Sequence, residues 1–372
     1  MTRYRDLGLS VGQLPPGRQN SITDVGGVRV GAKTLIEGDG PLVRGKGPIR
    51  TGVTVILPSE HIGREVVFAG CHRLNGNGEF TGFEWIRESG MLSTPVAITN
   101  THSVGVVRDA LVAHDVGGHE GHDSFWSLPA VGETYDGALN DINGFHVRPE
   151  HVDDAIANAS SGPVPEGNTG GGTGSICHEF KGGTGSASRS VNGWTVGALV
   201  QANYGRRERL TVDGVPVGRE IPTTEIPSAW DEEERIAKAG SGSIIVVLAT
   251  DAPLLPNQLE RVAQRAGLGI ARAGGGGEHT SGDLFLAFST AAVGKLNSYK
   301  METETKEPIG VEMLPDAAMS DLFWAAIEST EEAILNALVA AETLTGRDGI
   351  TAQALPHDRL LEIMSRYGRG PG

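Results

Sequence analysis

Short apolar runs broken by Gly, Asn and Pro dominate the first third of the chain. VGGVRVG (25–31), GVTVILP (52–58), EVVFAG (65–70) and PVAITN (95–100) have the length, β-branched content and bounding turn residues of strands. Two helical stretches lie among them. One runs from Thr81 to about Glu88 after the loop LNGNGEF, and the other starts near His102, where VGVVRDALVAH repeats apolar residues at helical intervals. Nine glycines between 162 and 185 then demand sharp turns or close backbone approach. IPTTEIPSAWDEEERIAKAG (221–240), with two prolines and the acidic cluster Asp231 to Glu234, reads as a solvated connector. A buried strand, SIIVVLAT (243–250), begins abruptly after it. Pro256 and the spacing of Leu259, Val262, Ala263, Ala266 and Ile270 predict a helix that ends at Ala273-Gly274. GDLFLAFST (282–290) is the next strand. Residues 316–345 predict a core-packing helix or helix pair, with Leu322, Ala326, Ala333, Leu335, Leu338 and Ala341 on its apolar side. No internal repeat is present, and the mixture places the chain in the α/β class.

At 372 residues and 39.0 kDa the chain is one large α/β unit or two smaller domains, with enough length to bury its own core. Its 54 glycines are about twice ordinary usage, yet they follow no collagen period and hydrophobic residues still make 38%. The formal charge is -15 and no basic stripe exists to neutralise phosphates, which excludes nucleic acid as the expected partner. Cys71 and Cys177 form no CxxC pair, so a zinc ribbon or disulfide framework is not indicated. MTRYRDLGLSVGQLPPGRQ lacks the apolar core of a secretory signal, and no run approaches the roughly 18 apolar residues of a membrane span. The expectation is a cytoplasmic protein without membrane contact.

Three kinds of chemistry are conceivable from spacing. In HDVGGHEGHD (114–123), His119 and His122 with Asp115 or Asp123 have metal-ligating atoms, but Gly117, Gly118 and Gly121 remove the helix that would fix an i, i+4 pair. HEFK (178–181) is not HExxH, and no metal or other cofactor is expected. GGTGSIC (171–177) and GGTG (182–185) lack the Lys-Ser/Thr of a phosphate loop, and NGNGEFTG (75–82) misses the dinucleotide spacing by a residue. Serine chemistry is the better lead. Ser243 follows Gly242 where the connector meets the buried strand, and Ser281 and Asp283 share one face at the mouth of the next strand. No histidine except His279 sits at either junction. That favours a nucleophile whose own α-amine, freed by cleavage at Gly242-Ser243, moves the proton.

NSITDVGGVRVG (20–31), LNGNGEFTG (74–82), TNTHSVGVVRDA (99–110), ETYDGALNDING (133–144), HEFKGGTGSASR (178–189), VQANYG (200–205), GSGSIIVVLATDAPLLP (240–256) and HTSGDLFLAFST (279–290) occur in this order. On these motifs the chain resembles the self-processing β-peptidyl aminopeptidases and L-aminopeptidase/D-amidase/D-esterases, relatives in fold of the ornithine acetyltransferases. The resemblance implies an αββα sandwich like that of N-terminal-nucleophile hydrolases, with different connectivity. It also implies cleavage into an α-chain of 1–242 and a β-chain of 243–372 that form one joint domain. By motif, Ser243 is the implied nucleophile and Asn203 an oxyanion donor. Tyr135 supplies a hydroxyl at the same centre, and Ser281 and Asp283 are the polar support. Some relatives carry Glu where this chain has Asp283. Glu133 is the candidate for the substrate's ammonium. Substrates would be small peptides and amino-acid amides or esters, and αβ units would associate as tetramers. Two alternatives stay open at this point: acyl transfer to an amine, although those relatives use Thr where this chain has Ser243, and a non-catalytic binding module.

Overall fold

The computed structural model describes residues 1–119, 124–231, 233–234, 241–297, 301 and 306–371. Among these, ten strands build two stacked sheets. The smaller has the order β1 (Arg29–Glu37), β2 (Ile49–Leu57), β5 (Val96–Asn100), β6 (Ala130–Thr134). The larger begins with β4 (Met91–Leu92) and β3 (Val67–Arg73), continues with β10 (Thr280–Ser289) and β9 (Ser241–Thr250), and ends with β8 (Trp194–Asn203) and β7 (Gly183–Val191). Parallel pairing joins β5 to β6 and β9 to β10, while the other neighbours run antiparallel.

Period-two alternation along the strands separates three layers of core. On β9, Ile245, Val247 and Ala249 turn toward the small sheet and pack with Ile56, Val96, Ile98 and Ala130. Ile244, Val246 and Leu248 turn the other way, onto α4 (Pro256–Arg272) and α5 (Met319–Val339). A third cluster seats α2 (Val104–Gly117) and α3 (Pro149–Ala157) on the outer face of the small sheet through Val53, Val55, Val107, Leu111 and Val152. The order helix, sheet, sheet, helix is the expected αββα sandwich. Strands buried on both faces read as continuous apolar runs, and SIIVVLAT owes its texture to this position.

Boundaries shift where turn chemistry overrides apolar content. VGGVRVG is half turn: Gly26 and Gly27 form a turn and β1 starts only at Arg29. The first predicted helix is α1 (Phe83–Ser89), as spaced. Residues 316–345 contain a single helix, α5, ending at Val339, and not a pair. That helix is also buried on nearly every side, so one apolar face underestimates it. Its Glu328 and Glu332 are buried because Arg189 of β7 reaches both, at 3.2 and 2.6 Å, and Arg5 also reaches Glu332 at 2.7 Å. Losing one member of such a buried group costs about 3–5 kcal/mol. Part of the connector, residues 232 and 235–240, lies outside the described residues.

Gly185 shows what part of the glycine content does. A Cβ there would stand 2.0 Å from the carbonyl oxygen of Ala333, so α5 lies directly on β7.

Candidate active site

Sheet register assembles the site. Asn203, the last residue of β8, pairs with Ser243 of β9 on one side, and Gly282 of β10 pairs with Ser243 on the other. Ser243 is buried, and its Oγ accepts a 3.1 Å hydrogen bond from the Gly282 N–H. Gly242, just before it, has φ +129°, and a Cβ would meet the Asn203 carbonyl oxygen at 2.6 Å. Glycine is required there both by conformation and by space.

The side-chain amide of Asn203 has a fixed orientation. Oδ1 accepts from the Ile176 N–H at 2.8 Å, while Nδ2 donates to the Tyr135 carbonyl at 2.9 Å. An amide nitrogen carries two hydrogens, so one remains for a ligand beside Ser243. On β10, the Ser281 hydroxyl donates to Asp283 Oδ1 at 2.5 Å. Asn75 brackets the same carboxylate: its Nδ2 donates to Oδ2 at 3.3 Å, and its Oδ1 accepts from the Asp283 N–H at 2.6 Å. Burial pushes the Asp283 pKa above the usual carboxylate value, opposed by the hydrogen bonds from Ser281, the Ile244 backbone and Asn75.

Glu133 and Tyr135 approach from the small sheet. Glu133, near the end of β6, is only 3% exposed, accepts from the Glu79 N–H at 3.0 Å and takes the Thr101 hydroxyl on its other oxygen. Burial raises its pKa, and these hydrogen bonds oppose the rise. Among the described residues no Lys or Arg pairs with it. Tyr135 lies just past β6 and is half exposed.

These groups line one open cleft of about 640 Å³, which holds Glu79, Thr101, Glu133, Tyr135, Asn203 and Ser243 on its walls, together with Trp230 and Arg347. Every proposed site residue either lines this cleft or, as with Ser281 and Asp283, stands on the strand beside Ser243. Sequence reasoning missed Asn75 and Thr101, the partners of Asp283 and Glu133. Both lie in segments that carry the family resemblance, but no local spacing points across the sheets to their acceptors. His279 is exposed.

Of the His-rich segment, residues 114–119 are among those described. The His119 ring stacks on Phe125, and its Nδ1 lies 2.7 Å from the Asp115 carbonyl oxygen, while the Asp115 carboxylate takes the Ser127 hydroxyl. His122 and Asp123 lie outside the described residues. Among those described, no group of three or more His, Cys, Asp or Glu side chains is placed to hold a metal ion.

A doubled sheet flanked by helices, with a cleft opening over the ends of its central strands, defines the architecture of N-terminal-nucleophile hydrolases. The family model described as peptidase family S58 matches residues 20–352, so the chain belongs to that family and is a hydrolase with aminopeptidase activity. The chain is 50% identical over 378 residues to a β-peptidyl aminopeptidase of Sphingosinicella microcystinivorans, covering 99% of this chain and 93% of that protein. Among solved structures, a β-aminopeptidase of Burkholderia sp. superimposes with a TM-score of 0.90 at 51% identity, covering 99% of each chain. The L-aminopeptidase D-Ala-esterase/amidase of Ochrobactrum anthropi, described as a variant of the Ntn-hydrolase fold, gives 0.89 at 46% identity, again covering 99% of each chain.

Proposed function

We propose that this aminopeptidase cuts its own chain between Gly242 and Ser243 and then releases N-terminal residues from peptides, amino-acid amides and esters through an acyl-enzyme on Ser243. The observation that carries the reading is the register of β8, β9 and β10, which supports one oxyanion donor and one hydroxyl–carboxylate pair flanking the same serine. Gly242 pairs with Ser281, so the Ser281–Asp283 pair is adjacent to the bond to be cut and suited to holding the new amine. An α-amine titrates near 7.7–8.0 and is partly neutral at physiological pH, which fits it as the base for its own hydroxyl. In the acylation step the Ser243 Oγ forms a bond to the substrate carbonyl carbon, and its proton passes by way of the amine to the leaving nitrogen or oxygen. Water then releases the acyl group. The spare hydrogen of Asn203 Nδ2 stabilises the oxyanion in both steps, with the Tyr135 hydroxyl directed at the same centre.

Glu133 supplies the exo-specificity: a buried carboxylate without a cation of its own is a seat for the substrate's ammonium. The relatives named β-peptidyl aminopeptidases support acceptance of β-amino residues at this position. The family resemblance further supports tetramers of αβ units. Two free, buried cysteines fit a reducing, cytoplasmic setting, and among the described residues no helix is long and apolar enough to cross a membrane.

Intact mass and N-terminal sequencing test the central step. The expected products are fragments of roughly 25 and 14 kDa, scaling 39.0 kDa by chain length, with Ser at the new terminus. Ser243→Ala should remain whole. An active preparation with one uncut chain overturns the reading, and light scattering that shows a lone αβ unit overturns the tetramer.

A further inference from the structure

Lys181 is fully buried, and its surroundings are carbonyl oxygens. Its Nζ donates to the Gly182 carbonyl at 2.8 Å, to the Ser175 carbonyl at 2.9 Å and, at a longer 3.5 Å, to the Gly172 carbonyl. Three acceptors match the three N–H bonds of an ammonium, and among the described residues no carboxylate pairs with it. An ion held only by backbone dipoles leaves its field directed along them.

One of those dipoles leads to the active site. The peptide unit joining Ser175 to Ile176 accepts from Lys181 through its C=O, and the same unit donates through its N–H to Asn203 Oδ1 at 2.8 Å. The far end of that side-chain amide carries the hydrogen left over beside Ser243. We propose that Lys181 is a positioning residue: through the Ser175–Ile176 peptide it holds and polarises the Asn203 amide, so that this amide is a fixed and stronger donor to the oxyanion. The inference rests on the reading of Asn203 as that donor.

The physics is that of a hydrogen-bonded chain in a medium of low dielectric. A cation on the C=O makes the N–H of the same peptide a better donor, and that N–H in turn draws electron density toward Oδ1 and makes Nδ2 more positive. Geometry contributes as much. The Ser175 carbonyl takes one bond from the ammonium and another from the Gly182 N–H at 3.0 Å, and the ammonium's remaining bonds tie that peptide to the carbonyls of Gly182 and Gly172, so the plane against which Asn203 is aligned is held from both sides. Lys181 is itself fixed by its N–H, which donates to the Gln353 carbonyl at 2.7 Å, and by the antiparallel pairing of Ile176 with Lys181. Burial draws the Lys181 pKa down to about 7, and the carbonyl oxygens around Nζ favour the ammonium form against that desolvation.

The test is a double-mutant cycle on the processed enzyme, with an amino-acyl amide as substrate. Lys181→Met should lower kcat about tenfold and leave KM within about twofold, since the effect is confined to the transition state. In an Asn203→Ala background the same substitution should change kcat by less than about twofold, because its route is already gone. Equal losses in both backgrounds, or a change in KM alone, would mean that Lys181 only supports the fold. A Lys181→Met enzyme with unchanged kcat also ends the proposal. If Lys181→Met remains uncut, Lys181→Gln and the self-cleavage rate of each precursor carry the same comparison, with the same two outcomes. Thermal unfolding of each variant separates lost structure from lost polarisation. Should Asn203→Ala itself retain full kcat, the Asn203 reading fails and the relay falls with it. Should Ser243→Ala retain activity, the serine mechanism fails first, and the two failures are distinguishable.

Discussion

Glu133 and Asn203 are each held by two hydrogen bonds whose partners local sequence spacing does not encode. Removing one member of a buried charge pair costs about 2–5 kcal/mol, so Glu133→Gln should lose at least tens-fold in kcat/KM on amino-acyl amides while self-cleavage survives. Comparing an amide with its N-acetyl derivative checks the premise, and equal turnover of the two would leave Glu133 without a role. Asn203→Ala should cost about 100- to 1,000-fold in kcat, measured by single turnover. Asp136, next to Tyr135, gives a stability test. It is fully buried, and burial outweighs the hydrogen bonds from Thr51, Asn140 and Asn100 to push its pKa up to about 7. Its folded pKa lies above the unfolded value, so its contribution is present below about pH 4 and is lost as pH rises toward 7. Asp136→Asn should therefore gain on the wild type by at least about 1 kcal/mol at pH 7–8 and show no advantage near pH 4, as read by denaturant unfolding at both pH values. At this scale strand-mouth spacing in the sequence points to Ser243, Ser281 and Asp283, which lie on the paired strands β9 and β10. Asn75, Thr101 and Lys181 stayed hidden because each acts across a distance in sequence that no local pattern encodes.

Among elements, the central strands were the most legible, since a strand buried on both faces leaves an unbroken apolar run. Helix α4 was equally plain, with Pro256 at its start and an apolar stripe against the large sheet. What could not be read in α5 was the burial of its acidic side: Glu328, Glu331 and Glu332 look like a solvent face until Arg5, Arg189 and Arg272 are seen to meet them. Contacts between helix and sheet are close enough to be tested. Gly185→Ala should push α5 off β7 and cost about 3 kcal/mol, the upper end of overpacking penalties, measured as a lower denaturation midpoint with unchanged slope. Gly242→Ala meets both a positive φ and the Asn203 carbonyl, and should slow self-cleavage strongly while leaving a folded precursor. Cleavage at the wild-type rate would show that this stretch of β9 does not need its glycine.

For the whole molecule, the acidic balance serves solubility and the doubled sheet serves the cleft. The order of strands in the larger sheet carries a further consequence. Residues before the proposed cut supply β4 and β3 at one side and β8 and β7 at the other, while residues after it supply the central pair β10 and β9. Each fragment is thus clasped by the other along two strand seams, and neither can leave without baring a buried ladder. The melting curve of the cut enzyme should still show one transition. The nick should be plain on the way back. The precursor refolds as a single chain, a first-order process. The cut enzyme needs two chains to find each other, so its recovery from denaturant should fall on dilution while that of Ser243→Ala does not.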